Sequence, residues 1–323
     1  MGSAWTKLIP PAAHLTEKNL PDQTGKVFIV TGSSSGVGRE LAQILYSHNA
    51  KVYVAARSAS KAAAAIQSIK TNFPNAKGEL IFLDLDLSDL ETIKQSANEF
   101  LTKESRLDVL FNNAGVMCPP QGSKTKQGYE LQIGTNNLAP YLFSKLLTPL
   151  LLKTAKTAPA GSVRIVWVSS AAAEMMSPQG GVNMQNLDYK VDQSMWYKYG
   201  VSKAGNYYHA TTFAKKYGSE GLISVACDPG NLKTDLQRNM SKLHLLLIGW
   251  SQYHPIYGSY TEMFSGLSPE VTLERNGAWI APWGRFVDIR KDLAAGHKTR
   301  AEGGTGIADA FAEWTEEQIR PYQ

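Results

Sequence analysis

Short apolar runs alternate along this chain with longer stretches in which apolar residues recur every three or four positions. Lys26-Val27-Phe28-Ile29-Val30 reads as a buried strand ending in Thr31-Gly32, and a helix opens after it through Gly38 to Ala42. Further strands are expected at Lys51–Ala56, Leu80–Leu83, Leu107–Phe111, Val163–Val168, Leu222–Cys227 and Ala278–Pro282. Helices are expected at about 59–72, 88–101, 128–153 and 199–217. Ser88 is expected to cap the second of these, with Glu91 three residues later completing a capping box. Strands alternating with helices imply parallel βαβ units. The fold class is therefore α/β, a Rossmann-type doubly wound parallel sheet of about seven strands with helices on both faces. No repeat, linker or change of composition divides the chain, so residues 1–323 read as a single domain. It carries an N-terminal arm at 1–24, a substrate-lid segment at 231–275 and a C-terminal extension at 283–323.

Composition changes this picture little. Apolar content of 43% and charged content of 19% describe a soluble globular protein with a sizeable core. The net charge of +5 is small for 323 residues, and no run of Lys and Arg tracks a phosphate backbone, so no nucleic-acid partner is expected. Cys118 and Cys227 form neither a metal spacing nor a disulfide framework, so no metal is expected and a reducing, cytoplasmic compartment is. No charged segment followed by an apolar run is visible near Met1, so no secretory signal is expected. The Leu-rich patch Leu243–Trp250 is too short to span a bilayer, and a peripheral membrane contact rests on its apolarity alone. Gly2 and Thr6 fit the myristoylation pattern, against the plainer reading of a chance match.

Three stretches carry candidate chemistry. Thr31-Gly32-Ser33-Ser34-Ser35-Gly36-Val37-Gly38 joins the first strand to the first helix. Glycines let such a loop approach a ligand closely, and the helix N-terminus that follows suits a pyrophosphate. Gly32, Ser34, Ser35, Gly36, Val37 and Gly38 are the candidate phosphate contacts, the alternative being a Ser/Gly-rich turn without a ligand. An acid that would bind a free ribose is expected at the end of the second strand, and Arg57 stands there instead. A guanidinium suits a 2′-phosphate, so NADP(H) is expected in preference to NAD(H). Tyr199 and Lys203, four residues apart, lie one helical turn from each other. A cation beside a phenol lowers its pKa and makes it a usable acid or base. Tyr197 is a competing phenol, but Val201 stands four residues beyond it.

Taken in order, Thr31-Gly32-(x)3-Gly36-x-Gly38, Asp86-Leu87, Asn112-Asn113-Ala114-Gly115, Asn136, Ser169-Ser170, Tyr199-(x)3-Lys203 and Pro229-Gly230 resemble the short-chain dehydrogenases/reductases over most of the chain. Ala55-Ala56-Arg57-Ser58 and the long interval from Ser170 to Tyr199 are most similar to the retinol-dehydrogenase-like group. The resemblance implies that Ser170 hydrogen-bonds a substrate carbonyl, that Tyr199 exchanges the proton with that oxygen, and that Lys203 assists Tyr199 and bonds the nicotinamide ribose. It implies that Asn136 holds a water linking Lys203 to solvent, with the neighbouring Asn137 as the alternative. Asp86 is expected at the adenine with Leu87 beside it, Asn113, Ala114 and Gly115 near the adenosine, and Pro229, Gly230 and Thr234 at the nicotinamide. A homodimer through the helices holding Asn136 and Tyr199 is implied as well.

Two features depart from the pattern. No basic residue stands among Ser33-Ser34-Ser35, where NADP-dependent members often have one. Residues 171–196 form an extra excursion whose Met175, Met176, Met184 and Trp196 either line a pocket or pack the insertion. An apolar lid implies a bulky, largely apolar small-molecule substrate. The reaction expected is NADP(H)-dependent interconversion of a ketone or aldehyde and an alcohol. The alternatives are a non-catalytic dinucleotide-sensing or scaffold protein on the same fold, or a reductase of a C=N or C=C bond.

Overall fold

Val27–Thr31 forms β1, and all of it is buried. A strand covered on both faces is what a parallel sheet with helices on each side requires. The structure, a computed structural model, describes residues 9–237 and 252–323. After β1 come α1 (Gly36–Ser47), β2 (Lys51–Ala56), α2 (Ala59–Asn72), β3 (Glu79–Asp84), α3 (Leu90–Lys103) and β4 (Val109–Asn112). The next helix, α4, joins three pieces end to end: Leu131–Ile133, a π turn at Gly134–Leu138, and Ala139–Ala155. Then follow β5 (Arg164–Val168), α5 (Ala172–Met175), α6 (Met195–Tyr217), β6 (Ile223–Cys227), α7 (Pro255–Leu267), β7 (Trp279–Ala281), β8 (Arg285–Phe286), α8 (Lys291–His297) and α9 (Ile307–Ile319).

The strands form one sheet in the order β3-β2-β1-β4-β5-β6-β7-β8, parallel except for the pair β7 and β8. The two-residue β8 is the addition to the expected strands. Trp283 and Gly284, both at positive φ, turn the chain back on β7. Alternate residues of each strand feed two cores. Ile29, Trp167, Phe143 and Phe213 belong to one, with α4 and α6. Phe28, Val166, Leu41 and Phe264 belong to the other, with α1 and α7. Strand order reverses between β1 and β4, and the crevice at the carboxyl ends of these strands is where open α/β sheets bind ligands.

Several boundaries differ from expectation for local reasons. The cap of α3 is Asp89, whose carboxylate accepts from the Glu91 N–H, while the Ser88 hydroxyl donates to Asp86. Gly128, at φ +85, belongs to a tight turn, and α4 begins only at Leu131, where the Glu130 carboxylate accepts from the Gln132 and Ile133 N–H groups. Within the expected lid, Pro255–Leu267 is a core helix packed on α1 and on the sheet. The apolar stretch Leu243–Trp250 and the Gly2 motif lie outside the described residues.

The C-terminal extension packs on the helices expected to form a dimer. Phe311 of α9 stacks on His209 of α6 at 5.0 Å. Glu316 accepts from the Tyr141 hydroxyl and pairs with Lys145, both on α4. Among the described residues no helix is long and apolar enough to cross a membrane.

Candidate active site

The loop after β1 is shaped by its contacts with the loop after β4. A Cβ on Gly32, whose φ is +70, would lie 2.9 Å from the Ala114 Cα. One on Gly38 would lie 2.5 Å from the Asn113 Nδ2. Asn113 Nδ2 donates to the Thr31 carbonyl (2.6 Å), and the Ala114 N–H donates to the Thr31 hydroxyl (2.9 Å). Ser33 is buried and donates to the Val30 carbonyl. Gly32 is therefore required by close approach of the Ala114 backbone, and Gly38 by close approach of the Asn113 side chain.

Ser35 is the N-cap of α1, yet its side chain makes no capping hydrogen bond, and no acid stands in the first turn. Ser58 of α2 and Asp89 of α3 do cap their helices. The first N–H groups of α1 thus lack the side-chain acceptor that the other two helices have, with the positive end of a helix dipole behind them. This is the environment a phosphate needs.

A cleft of about 380 Å³ begins at this loop. Gly32, Ser34, Ser35, Gly36, Val37, Arg57, Asp86, Leu87, Asn113, Ala114, Gly115 and Thr234 line it. Gly38 does not line it and serves the packing on Asn113 instead. Pro229 and Gly230 follow β6 at the same end of the sheet without lining the cleft, Gly230 being tied to the Asp228 carboxylate. Asp86 is oriented by the N–H and hydroxyl of Ser88.

Sequence reading missed Lys61, which lines the cleft beside Arg57. Both side chains are exposed. Lys61 lies in the first turn of α2, where a cation opposes the helix dipole and an acid is the usual choice. That misplaced charge was the available signal. The cleft thus has a second cation, although none stands among Ser33-Ser34-Ser35.

The catalytic candidates gather beyond Gly115. A Cβ there would lie 3.1 Å from the Asn136 Oδ1 and 3.5 Å from the Lys203 Nζ, so the glycine keeps this space open. Asn136 stands in the π turn of α4. Its Oδ1 accepts from the Val116 N–H (2.8 Å), and its Nδ2 donates to the Val116 carbonyl (3.0 Å) and to the Ser202 hydroxyl (2.9 Å). Asn137 turns away and donates to the Ser202 carbonyl and to Asn206 within α6. Geometry thus separates the two asparagines that sequence left adjacent.

Tyr199 and Lys203 are each 4% exposed. Burial raises the Tyr199 phenol above its ordinary value, and the Ser170 hydroxyl, within hydrogen-bonding reach, offsets part of that. Burial draws the Lys203 ammonium down to about 8, while Cys227, Glu262 and Asp228 favour its charged form. Lys203 Nζ donates to the Val168 carbonyl (2.9 Å) and lies 5.6 Å from the centre of the Tyr199 ring. Ser169, the neighbour of Ser170, is buried and donates to the Lys203 carbonyl.

An apolar wall surrounds Tyr199: Met117, Cys118 and Ala172 are buried against it, with Met195, Trp196 and Leu236 partly buried. The Trp196 and Tyr199 rings meet edge to face at 6.4 Å. Cys118 holds φ +45, unusual for a residue other than glycine, and its N–H is fixed by the Gln132 side chain. Burial pushes its thiol up to about 12, so it stays protonated. Of the excursion methionines, Met175 and Met176 are exposed, while Met184 packs on the core. Arg290 fastens the excursion through the Glu174 and Pro178 carbonyls.

A family profile described as short chain dehydrogenase matches residues 26–244. A Phomopsis amygdali protein named short-chain dehydrogenase/reductase is 52% identical over 99% of this chain and 97% of its own length. One from Emericella nidulans is 48% identical over 97% of this chain and 98% of its own. Among solved structures, an uncharacterised Mycobacterium paratuberculosis protein aligns with a TM-score of 0.68 at 24% identity, covering 95% of this chain and 97% of that one. The NADPH-bound carbonyl reductase from chicken fatty liver aligns with a TM-score of 0.62 at 24% identity, covering 82% and 99%.

Proposed function

This chain belongs to the short-chain dehydrogenase/reductase family, and on that premise we propose that it interconverts a ketone or aldehyde and an alcohol on a bulky, largely apolar small molecule, with NADP(H) as cofactor and Tyr199 as acid or base. The observation that carries this reading is the convergence of Asn136, Ser170, Tyr199 and Lys203 beyond Gly115, a residue that lines the cleft beginning at the N-terminus of α1. NADP(H), when bound, supplies or accepts the hydride. The residues present suit it: an uncapped helix N-terminus for the pyrophosphate, and Arg57 with Lys61 for the 2′-phosphate.

In reduction, the Ser170 hydroxyl donates to the carbonyl oxygen and stabilises the charge that develops there. Tyr199 delivers the phenolic proton to the same oxygen, and in oxidation it takes that proton back. A buried phenol is a reluctant acid, so the ammonium of Lys203 has to offset the cost of the phenolate. Asn136, fixed at both ends of its amide, holds the backbone of Val116 in place beside this group. The wall of Met117, Trp196 and Leu236 excludes water and favours an apolar substrate.

The test is turnover of a panel of aldehydes, aromatic ketones (9,10-phenanthrenequinone among them), steroids and retinoids with NADPH, for wild type and Tyr199→Phe. Wild type is expected to reduce at least one class. Tyr199→Phe is expected to lose turnover while keeping its thermal shift with NADPH. Full activity of Tyr199→Phe on a confirmed substrate would overturn the mechanism. A larger thermal shift with NADH than with NADPH at matched concentration would overturn the cofactor assignment.

A further inference from the structure

Glu262 lies in the middle of α7 and is wholly buried, and neither carboxylate oxygen has a hydrogen-bond partner among the described residues. An unpaired buried carboxylate is costly, so its presence calls for a reason. The packing of α7 supplies none. Its neighbours Tyr260, Met263 and Phe264 fill the core. The nearby hydroxyls of Ser259 and Ser265 donate to carbonyls of their own helix.

Helix α7 packs on β5 and β6, its C-terminal end at Arg164 at the start of β5 and Glu262 near Cys227 at the end of β6. On the opposite face of the sheet, α6 brings Lys203 to the same strand ends. Lys203 is also buried, and its hydrogen bond goes to the Val168 carbonyl. Among the described residues it makes no ion pair. Two buried groups of opposite sign, neither with an opposite charge in contact among the described residues, thus pack from opposite faces on β5 and β6.

We propose that Glu262 is a positioning residue for the reaction: its charge, held behind the sheet, keeps Lys203 an ammonium at alkaline pH and so keeps Tyr199 beside a cation. This rests on the catalytic reading of Tyr199 and Lys203. The other ionisable groups facing the pair are Cys227 and Asp228 at the end of β6 and Tyr199 on α6. Arg164 of β5 binds the far end of α7 through the Ser265 and Ser268 carbonyls, and Glu40 of α1 bears on Tyr260. Burial pushes Glu262 up to about 8, the range to which it draws Lys203 down, so the two titrate as a coupled pair.

Glu262→Gln keeps the shape and removes the charge. With the best carbonyl substrate of the panel and NADPH, the alkaline limb of the kcat/KM profile is expected to move about half a pH unit or more to lower pH. The rate on the neutral plateau should stay within about two-fold of wild type. A second readout needs no substrate. A carboxyl raised in the folded state contributes stability that is full below the ordinary carboxylate range and lost as pH rises toward 8. The melting temperature of Glu262→Gln minus that of wild type should therefore grow between pH 5 and pH 8. Burial of the carboxyl by itself produces this trend, so the melting difference tests the buried carboxyl and the alkaline limb tests its hold on Lys203. An unmoved alkaline limb, or a flat or falling difference in melting temperature, overturns the proposal. Glu262→Met, which fills the site with an apolar chain, replaces Glu262→Gln in both measurements if the latter fails to fold. Absence of carbonyl turnover by wild type at every pH would instead overturn the catalytic reading, and this inference with it.

Discussion

The Nζ of Lys203 donates a 2.9 Å hydrogen bond to the carbonyl oxygen of Val168, the last residue of β5. The next two residues are Ser169, which bonds back to the Lys203 carbonyl, and Ser170, which meets Tyr199. One strand end therefore fixes the ammonium, the phenol and the hydroxyl together. Lys203→Met removes the cation and keeps the volume. Its kcat/KM is expected to fall by about 10²-fold or more, the scale of a positioned acid–base group. Its melting temperature should not fall, since a desolvated ammonium is lost. A steady-state assay beside a thermal melt reads both.

With Lys203 drawn down to about 8, its charge is retained below that pH and lost above it. A reduction that needs the ammonium should therefore decline on the alkaline side, with the limb beginning near pH 8. A kcat/KM profile flat to pH 10 would separate the reaction from Lys203.

Arg57 and Lys61 line the same end of the cleft, one on each side of the Ser58 cap. Arg57→Ala and Lys61→Ala are each expected to weaken NADPH binding about tenfold, a loss of about 1.4 kcal/mol, and to leave NADH binding nearly unchanged. Titration calorimetry with both cofactors decides the matter. An equal loss for the two would place these cations away from the 2′-phosphate.

Gly38→Ala would put a methyl 2.5 Å from the Asn113 amide nitrogen and 3.1 Å from the Ser33 Cα. Backbone blocks relief on one side, so a loss of about 1–3 kcal/mol is expected, with weaker dinucleotide binding as the loop shifts. Denaturant unfolding with and without NADPH measures both parts.

Because α9 covers α4 and α6, a purified chain is expected to run as a monomer of 35.3 kDa in light scattering at micromolar concentration. Phe311→Ala, at a fully buried position beneath that cover, should cost about 3–5 kcal/mol. A dimer mass for wild type would show that another surface associates.

The order of the fold was legible because strands buried on both faces appear as unbroken apolar runs, and the crossovers between parallel strands leave little choice of topology. Val27–Thr31 and Lys51–Ala56 were read nearly to the residue. The phosphate loop and the Tyr199–Lys203 pair were equally plain, since each is local: a turn that needs glycine, and a spacing of one helical turn. Tertiary structure alone decided the rest. The cap at Asp89 depends on Lys126 and Gln127, which hold its carboxylate from a distant loop. The π turn that aims Asn136 at Val116 and Asn137 at α6 depends on contacts with the loop after β4 and with a helix some 65 residues further along the chain. Lys61 joins the cleft only when α2 is docked, and α9 finds α4 and α6 only when all three helices exist. Glu262 looked like any helical glutamate. It stands out only because α7 is buried against β5, whose last carbonyl binds Lys203, and burial is a property of the whole chain that no local spacing encodes.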